Sequence, residues 1–269
     1  MASEIWKEEY KRKCMDISAA MSLIENNDLV SLAVLAPGEL SAALHTRSTE
    51  LEQLHIRTLA PTAAQLYGED VNGEREIEVF IGEPLRPVHD NKIATYLPNT
   101  FMLGMKASDS GREDARLPDV HLTSCSPPNE AGYVQFGLHM WTRKSYAKRC
   151  KTVIGMIDPN TPTAHGDVWM HVSEFDAFIE NAITAVDKPA VKERITSLAN
   201  PDDQDELLEL LERASTDQVA LAEKTFHVMP PKILKQAFGL TDVDDSAKQI
   251  ANNLKAIIRD GDTIQVGVG

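Results

Sequence analysis

One segment, residues 29–35 (LVSLAVL), limits the possible folds of this chain more than any other. It is apolar almost throughout, and the turn Ala36-Pro37-Gly38-Glu39 separates it from a helical pattern at 40–44. A short strand without polar alternation is typical of parallel sheets, whose strands are buried on both faces. A Pro-Gly turn suits the passage from strand to helix. The segment therefore predicts a βα unit.

Further segments repeat this order of strand and helix along the chain. Strand candidates lie at 55–59, 77–81, 94–96, 120–123, 134–138, 152–157 and 168–172, and helical patterns occur at 17–25 and 142–150. Strands that alternate with helices are typical of α/β folds. We therefore predict an α/β fold with an open, mostly parallel sheet flanked by helices.

The character of the chain changes between residues 187 and 239. An acidic segment at 200–213 has the spacing of a helix, with Leu207, Leu208, Leu210 and Leu211 on its apolar side. A solvated helix that packs one leucine stripe is the favoured interpretation, and a docking site for a partner is the alternative.

An internal match suggests that a second α/β unit begins near residue 241. Residues 255–267 repeat the plan of residues 22–33, which is a helix end, a short turn with an aspartate and a strand. We predict an α/β domain at 1–186, a helical insertion at 187–240 and the incomplete start of a second α/β unit at 241–269. The turn Gly267-Val268-Gly269 would offer backbone N–H groups to an oxyanion if a helix N-terminus followed it.

Composition excludes several classes of protein. The chain has 41 acidic and 27 basic residues and a formal charge of −14, so nucleic acid is a poor candidate partner. No apolar run reaches membrane-spanning length, and the first residues lack the apolar core of a signal peptide, so we expect a cytoplasmic protein without membrane contact. The three cysteines, Cys14, Cys125 and Cys150, show no CxxC spacing and favour free thiols in a reducing compartment.

Two polar loops are candidate sites. In the loop 124–133, prolines fix the backbone and the Ser126 hydroxyl could face a ligand, while Asn129 suits a tight turn; a structural loop is an equally good interpretation. In the loop 160–167, His165 could act as an acid or base, although loop histidines are more often structural. His165, Asp167 and His171 complete no recognised metal spacing, and we predict no metal.

One basic group stands out in the acidic chain: Arg143, Lys144, Lys148, Arg149 and Lys151. It could attract an anion such as a nucleotide phosphate. The charged outer face of a helix is the favoured interpretation.

Taken together, the motifs resemble the acetyl-CoA hydrolase/transferase family, a branch of the class I CoA-transferases that includes 4-hydroxybutyrate CoA-transferase-like enzymes. The resemblance lies in an ordered series of segments at 27–30, 36–39, 126–137, 152–155, 165–176 and 260–269. It covers most of the chain outside the segment 187–239.

The resemblance implies two similar open α/β domains with an active site in the cleft between them. It implies a glutamate nucleophile that attacks an acyl-CoA thioester to form an anhydride. CoA then attacks to give a glutamyl-CoA thioester, and a second carboxylic acid takes over the CoA. Backbone N–H groups would stabilise the oxyanions, and the segment Gly267-Val268-Gly269 matches that role.

The resemblance also implies which residues contact substrate. The expected contacts to substrate or CoA are Gly38, Glu39, Ser126, Asn129, His165, Gly166, Gly267, Val268 and Gly269. Coenzyme A would be a substrate, and no separate cofactor is expected. The partners would be acyl-CoA, a carboxylate such as acetate, and a second CoA-transferase subunit or C-terminal domain.

Three departures from the family pattern shape the expectation. The turn 36–39 is poorer in glycine than usual, Thr163 stands where an arginine often follows the proline, and the expected glutamate falls beyond Gly269. We therefore expect the N-terminal half or α subunit of a CoA-transferase, with no nucleophile in this chain. A domain fragment, an inactive relative, an acyl-CoA hydrolase component and a non-catalytic binding protein are the alternatives.

Overall fold

Eight parallel strands form one sheet in the computed structural model, within the residues that it describes. These are residues 2–34, 36–58, 66, 72–78, 86–100, 103–113, 115–137, 141, 143–162, 164–180, 182, 187–197, 201–214, 219 and 244–265. The strands of the sheet are β1 (Cys14–Met15), β2 (Leu29–Leu32), β3 (His55–Thr58), β4 (Arg75–Glu78), β5 (Thr95–Leu97), β6 (Val120–Cys125), β8 (Thr152–Ile157) and β10 (Ala177–Ile179). A separate antiparallel ribbon pairs β7 (Tyr133–Gln135) with β9 (Trp169–His171).

Helices flank the sheet. They are α1 (Ala2–Lys13), α2 (Ile17–Met21), α3 (Gly38–Glu50), α4 (Arg86–Asp90), α5 (Leu103–Asp109), α6 (Arg143–Ala147), α7 (Lys188–Thr196), α8 (Pro201–Arg213) and α9 (Asp245–Lys255). A 3₁₀ turn, Val172–Glu174, follows β9. No helix of the described residues is both long and apolar enough to cross a membrane.

The prediction of an open, mostly parallel α/β sheet is confirmed. The strand order is β1-β10-β8-β6-β2-β3-β4-β5, and every neighbouring pair in it is parallel. The predicted strand at 152–157 has its predicted bounds. The strand at 29–35 is shorter than predicted, since β2 ends at Leu32 and Ala36 N–H donates to the carbonyl of Ala33 to start the turn toward α3.

Two apolar cores lie against the sheet. One contains β2, β3, α2 and α3, with Ile24, Val30, Leu40, Leu44 and Ile56 fully buried. The other stacks Phe136, Phe175 and Phe178, with neighbouring ring centroids 6.3 and 4.7 Å apart, and Trp6 and Tyr10 of α1 pack on it. Burial of these large side chains is the main favourable contribution to folding.

The leucine stripe of the acidic segment packs against another helix of the same chain. Leu207 and Leu211 of α8 are buried, and α8 packs against α7, which buries Val191 and Ile195. This confirms the favoured interpretation of a solvated helix with one packed apolar face.

The chain forms two compact units, Met1–Val228 and Met229–Gly269. The second contains α9, on which Ile250 and Leu254 are exposed. Residues 263–265, part of a predicted strand, are not in a strand, and the site candidates Gly267, Val268 and Gly269 lie outside the described residues. The domain boundaries near 186 and 240 stay a prediction.

Asp119 joins the amino ends of the central strands. Its carboxylate accepts hydrogen bonds from Leu29 N–H (3.0 Å), Arg116 Nη2 (2.7 Å) and Lys151 Nζ (2.7 Å). Its backbone N–H donates to Leu29 O (2.8 Å), and its carbonyl accepts from the N–H groups of Lys151 and Thr152. Burial alone would raise the pKa of this carboxyl, but these donors outweigh it and lower the pKa to about 2.

We predict that Asp119→Asn lowers the free energy of unfolding at pH 7 by about 1–2 kcal/mol, because a charged hydrogen-bond acceptor is lost at a partly exposed site. The native pKa lies below the unfolded value, so the contribution of Asp119 is present above about pH 4 and is lost as the pH falls toward about 2. Urea unfolding of both proteins should therefore show a difference that shrinks across this range.

Asp109→Asn is the matched control, because Asp109 is exposed and bonds to Arg149 alone among the described residues. A difference between Asp119→Asn and wild type that stays constant from pH 7 to pH 2 would contradict the role given to this carboxylate.

Candidate functional site

The order of the strands reverses between β2 and β6. From β2 the chain adds β3, β4 and β5 on one side of the sheet, and it then returns to the other side of β2 to form β6, β8 and β10. In open α/β sheets, ligands bind at the carboxyl ends of the strands where the order reverses. The candidate site is therefore the region where β2 leads into α3 and β6 leads into the loop 126–132.

Arg143 occupies this junction and bridges the two strand ends. Its Nη2 donates to the carbonyl of Val34, which follows β2, and its Nη1 lies 3.3 Å from both the carbonyl and the hydroxyl of Ser124 in β6. The side chain is buried, with 4% of the residue exposed. The planar guanidinium suits this role because it presents several donors in fixed directions.

The environment of Arg143 is polar but lacks a full set of hydrogen-bond partners. Burial lowers its pKa to about 10, while Cys125 and Asp158 nearby partly oppose this effect. The group is therefore still protonated at neutral pH. Its Nε has no hydrogen-bond partner among the described residues. A buried donor without a hydrogen-bond partner is energetically costly, so this position is one of local strain.

Ser126 lies at the carboxyl end of β6, as expected for a site residue, but its hydroxyl is engaged within the loop. It donates to Pro127 O (2.9 Å) and accepts from Gln135 N–H (3.0 Å). The Gln135 side chain in turn accepts from Ala164 N–H (2.9 Å). This chain of bonds brings the loop that carries His165 and Gly166 to Ser126.

His165 and Gly166 are both exposed. The imidazole of His165 makes no hydrogen bond or ion pair with another described residue. Gly166 has a φ of +108°, which favours glycine at this turn. An exposed histidine next to the strand junction is free to contact a substrate.

Asn129 is at the other end of the β7–β9 ribbon. Its Oδ1 accepts from the N–H groups of Ala131 and Tyr133, both at 3.0 Å, so it closes the turn before β7. Tyr133 pairs with His171, whereas Gln135, the partner of Ser126, pairs with Trp169. The structure therefore brings Ser126 and His165 together by bonds and places Asn129 in a separate turn.

Gly38 and Glu39 begin α3 directly after the junction, and both are exposed. Nothing lies within 4 Å of the position that a Cβ of Gly38 would take. The glycine therefore leaves open space at the start of α3.

The basic group noted in the sequence is mostly neutralised. Lys144 pairs with Asp167 and Lys148 with Glu174, while Arg149 and Lys151 pair with Asp109 and Asp119 at 2.7 Å. The outer face of α6 and the residues after it therefore carry ion pairs, as the favoured interpretation predicts. Arg143 is the exception, since it is buried.

The three cysteines are free. Cys125 is fully buried, and burial raises the pKa of its thiol; burial also raises the pKa of Cys150 to about 12. A thiol with a raised pKa is a poor nucleophile, so Cys125 and Cys150 are poor candidates for a catalytic thiol.

Among the residues that the structure describes, no group of three or more histidine, cysteine or acidic side chains could hold a metal ion. His171 caps the 3₁₀ turn. Its side chain accepts from Ser173 N–H (3.2 Å), and its own N–H donates to Glu174 Oε1 (3.2 Å).

Sequence reasoning did not identify Arg143 as a buried junction residue, because it grouped Arg143 with exposed cations. The helical spacing of the sequence does indicate that Arg143 is buried. Arg143, Tyr146 and Ala147 are three and four residues apart and share the buried face of α6, while Lys144 and Lys148 lie on another face.

We predict that Arg143→Met lowers the free energy of unfolding by about 1–3 kcal/mol, because the buried carbonyls of Val34 and Ser124 lose their donor. Arg149→Met is the matched control: it makes the same chemical change in an outer ion pair and should have little effect. Chemical denaturation measures both. Equal stability of Arg143→Met and wild type would show that Arg143 does not hold the junction.

The chain resembles known CoA-transferases in sequence. It is 28% identical over 269 residues to 4-hydroxybutyrate coenzyme A transferase from Clostridium kluyveri. This alignment covers 98% of this chain and 50% of the relative. It is 26% identical over 188 residues to succinyl-CoA:cyclohexane-1-carboxylate CoA transferase from Geobacter metallireducens, covering 66% of this chain and 41% of the relative. The chain thus spans about half the length of the curated relatives it matches.

The fold is also found in a solved structure. The crystal structure of RipA from Yersinia pestis superposes with a TM-score of 0.56 at 20% sequence identity, over 72% of this chain and 50% of that chain. This likeness shows a common fold.

The chain also matches the model of a protein family. The model that describes the acetyl-CoA hydrolase/transferase N-terminal domain matches residues 2–188, which include the whole sheet and the β7–β9 ribbon. Because this match covers more than half of the 269 residues, the chain belongs to the acetyl-CoA hydrolase/transferase family.

Proposed function

We propose that this chain forms one wall of the active site of a CoA-transferase that moves CoA between a short-chain acyl-CoA and a carboxylic acid such as acetate. Membership of the acetyl-CoA hydrolase/transferase family through residues 2–188 carries this proposal. The relatives named as CoA transferases support it, because one of them aligns with nearly the whole chain.

The nucleophile in this proposal is a glutamate on a second α/β half, supplied by a C-terminal domain or by a partner subunit. The alignment supports this arrangement, since the chain matches only 50% of the Clostridium kluyveri enzyme. The glutamate would attack the thioester carbonyl and release CoA thiolate, leaving a mixed anhydride. CoA would then attack the glutamyl carbonyl, release the first acid and form the enzyme thioester.

In this arrangement the residues of this chain bind and orient the substrate. The junction of β2 and β6 would face the second half. There, His165 would offer a hydrogen bond to the substrate, while Ser126 and Gln135 would hold its loop in place. The open start of α3 at Gly38 would allow the acyl-CoA to approach the backbone closely. The remaining expected contacts, Glu39, Asn129, Gly166 and the segment Gly267-Val268-Gly269, stay predictions.

Exchange of label tests the proposed activity. The assembly of this chain with a glutamate-bearing second half should transfer CoA from acetyl-CoA to labelled acetate, and this chain without that half should not. A folded assembly that binds no CoA in calorimetry would rule the proposal out. Thioester loss that is independent of an acceptor acid would instead identify the alternative, an acyl-CoA hydrolase.

We predict that His165→Ala lowers kcat/KM of that assembly by about 10-fold to 100-fold, the cost of one hydrogen bond to a charged group. Its stability should not change, because the imidazole is exposed and has no partner among the described residues. His89→Ala on α4 serves as the control, since His89 is half-buried and pairs with Asp90 far along the sheet from the junction. Unchanged kinetics of His165→Ala would remove His165 from the site.

A further inference from the structure

One face of the sheet carries a row of polar side chains across four strands. Ser31 of β2 is in register with Arg57 of β3 and with His121 of β6, and Arg57 is in register with Glu76 of β4. Residues in register on parallel strands point to the same face, and Glu78, two residues after Glu76, shares it. A polar face is unusual within a parallel sheet, whose strands are normally apolar on both sides.

A cavity of about 650 Å³ opens over this face at β3, β4 and β5. Arg57 and Glu78 line it on the sheet, and Leu97 lines it at the end of β5. The other described lining residues include Lys106 and Ala107 of α5, and Ser110, Arg112, Ala115 and Arg116 after it. This volume is within the range of sites that hold small molecules of nucleotide size.

The charges around the cavity are mainly positive. Arg57, Lys106, Arg112 and Arg116 line it from three separate elements, and Glu78 is the carboxylate among the described lining residues. Two of these cations are paired with carboxylates, Arg57 with Glu76 and Arg116 with Asp119. Cationic donors that are grouped on a concave surface attract anionic ligands.

The carboxylates near the cavity are already engaged. Glu78 is buried and accepts from Tyr146 Oη and Asn99 Nδ2, both at 2.8 Å. Glu76 accepts from Arg57 Nε (2.7 Å), which fixes the guanidinium, and Arg57 Nη1 donates to Arg116 O (3.0 Å). The Arg57 guanidinium is therefore held in place at the floor of the cavity.

Lys106 differs from the other cations. It is exposed on α5, and its ammonium makes no hydrogen bond or ion pair with any residue in the described part of the chain. A flexible ammonium above fixed guanidinium groups suits an anion that carries several charged oxygens.

We propose that this cavity binds a phosphate-bearing small molecule. Several cations that converge from different elements match an anion whose charge is spread over more than one group, as in a diphosphate, better than a monocarboxylate. The apolar walls at Leu97, Pro98, Ala107 and Ala115 would contact the body of the molecule. A nucleotide and the nucleotide end of CoA offer the same chemistry. The proposal does not rest on the transferase activity.

Calorimetry of the full chain with pyrophosphate, at low ionic strength, tests the proposal. The double variant K106Q/R112Q changes two exposed lining residues and should weaken pyrophosphate binding at least about tenfold, the equivalent of one lost charge-assisted hydrogen bond. The control K11Q/R12Q makes the same change in charge on exposed residues of α1, outside the cavity, and should bind like wild type.

Competition identifies the source of the phosphate. Displacement of pyrophosphate by ADP, with or without displacement by CoA, supports a nucleotide site, and displacement by CoA alone places the end of CoA here. The proposal is wrong if wild type does not bind pyrophosphate, or if K11Q/R12Q weakens binding as much as K106Q/R112Q. Citrate that binds as tightly as pyrophosphate would also overturn it, because the site would then take carboxylates.

Discussion

The pairing of β2 with β6 is the constraint on which the rest of the structure depends, because it joins the two directions in which the sheet grows. Each end of this pair is held by one buried or half-buried ionic side chain. Asp119 binds the backbone of Leu29 and the cations Arg116 and Lys151 at the amino end, and Arg143 binds the carbonyls after β2 and in β6 at the carboxyl end. At the carboxyl edge, the Arg143 contacts hold the ends of the two strands together.

The polar face of the sheet explains why so many charged groups surround this pairing. Strands of this sheet have apolar helices on one side, where Ile24, Leu40 and Leu44 are fully buried. The other face carries the polar row of Ser31, Arg57, Glu76 and His121. His121 shows how burial on this face disfavours a charged side chain. Burial, together with the nearby charge of Arg143, lowers the pKa of His121 to about 3, so its imidazole is neutral in the folded protein. Arg57 and Glu76 lie on the same face and form an ion pair with each other.

The architecture could be predicted from the sequence, because the signals for it are local. The apolar strand at 29–32, the Pro-Gly turn and the helix after it are neighbours in the chain, and so are the strand at 152–157 and its flanks. The site was harder to predict because its bonds connect distant residues. Arg143 reaches Val34 across 109 positions, and Tyr146 reaches Glu78 across 68. Ser126 and Asn129 lie in a loop, as the sequence predicts, but only the structure shows that their side chains hold turns, and their contact with substrate stays a prediction.

The sheet thus separates two kinds of positive charge. At the β2–β6 junction, the Arg143 guanidinium is buried and donates to backbone carbonyls, and the nearby Lys144 and Lys148 are neutralised by Asp167 and Glu174. Over β3–β5, the cations Arg57 and Lys106 line open space. Tyr146 connects the two regions, since it lies one helical turn after Arg143 and donates to Glu78 at the cavity. The carboxylate that lines the cavity, Glu78, is therefore joined by Tyr146 to the helix that also holds the junction.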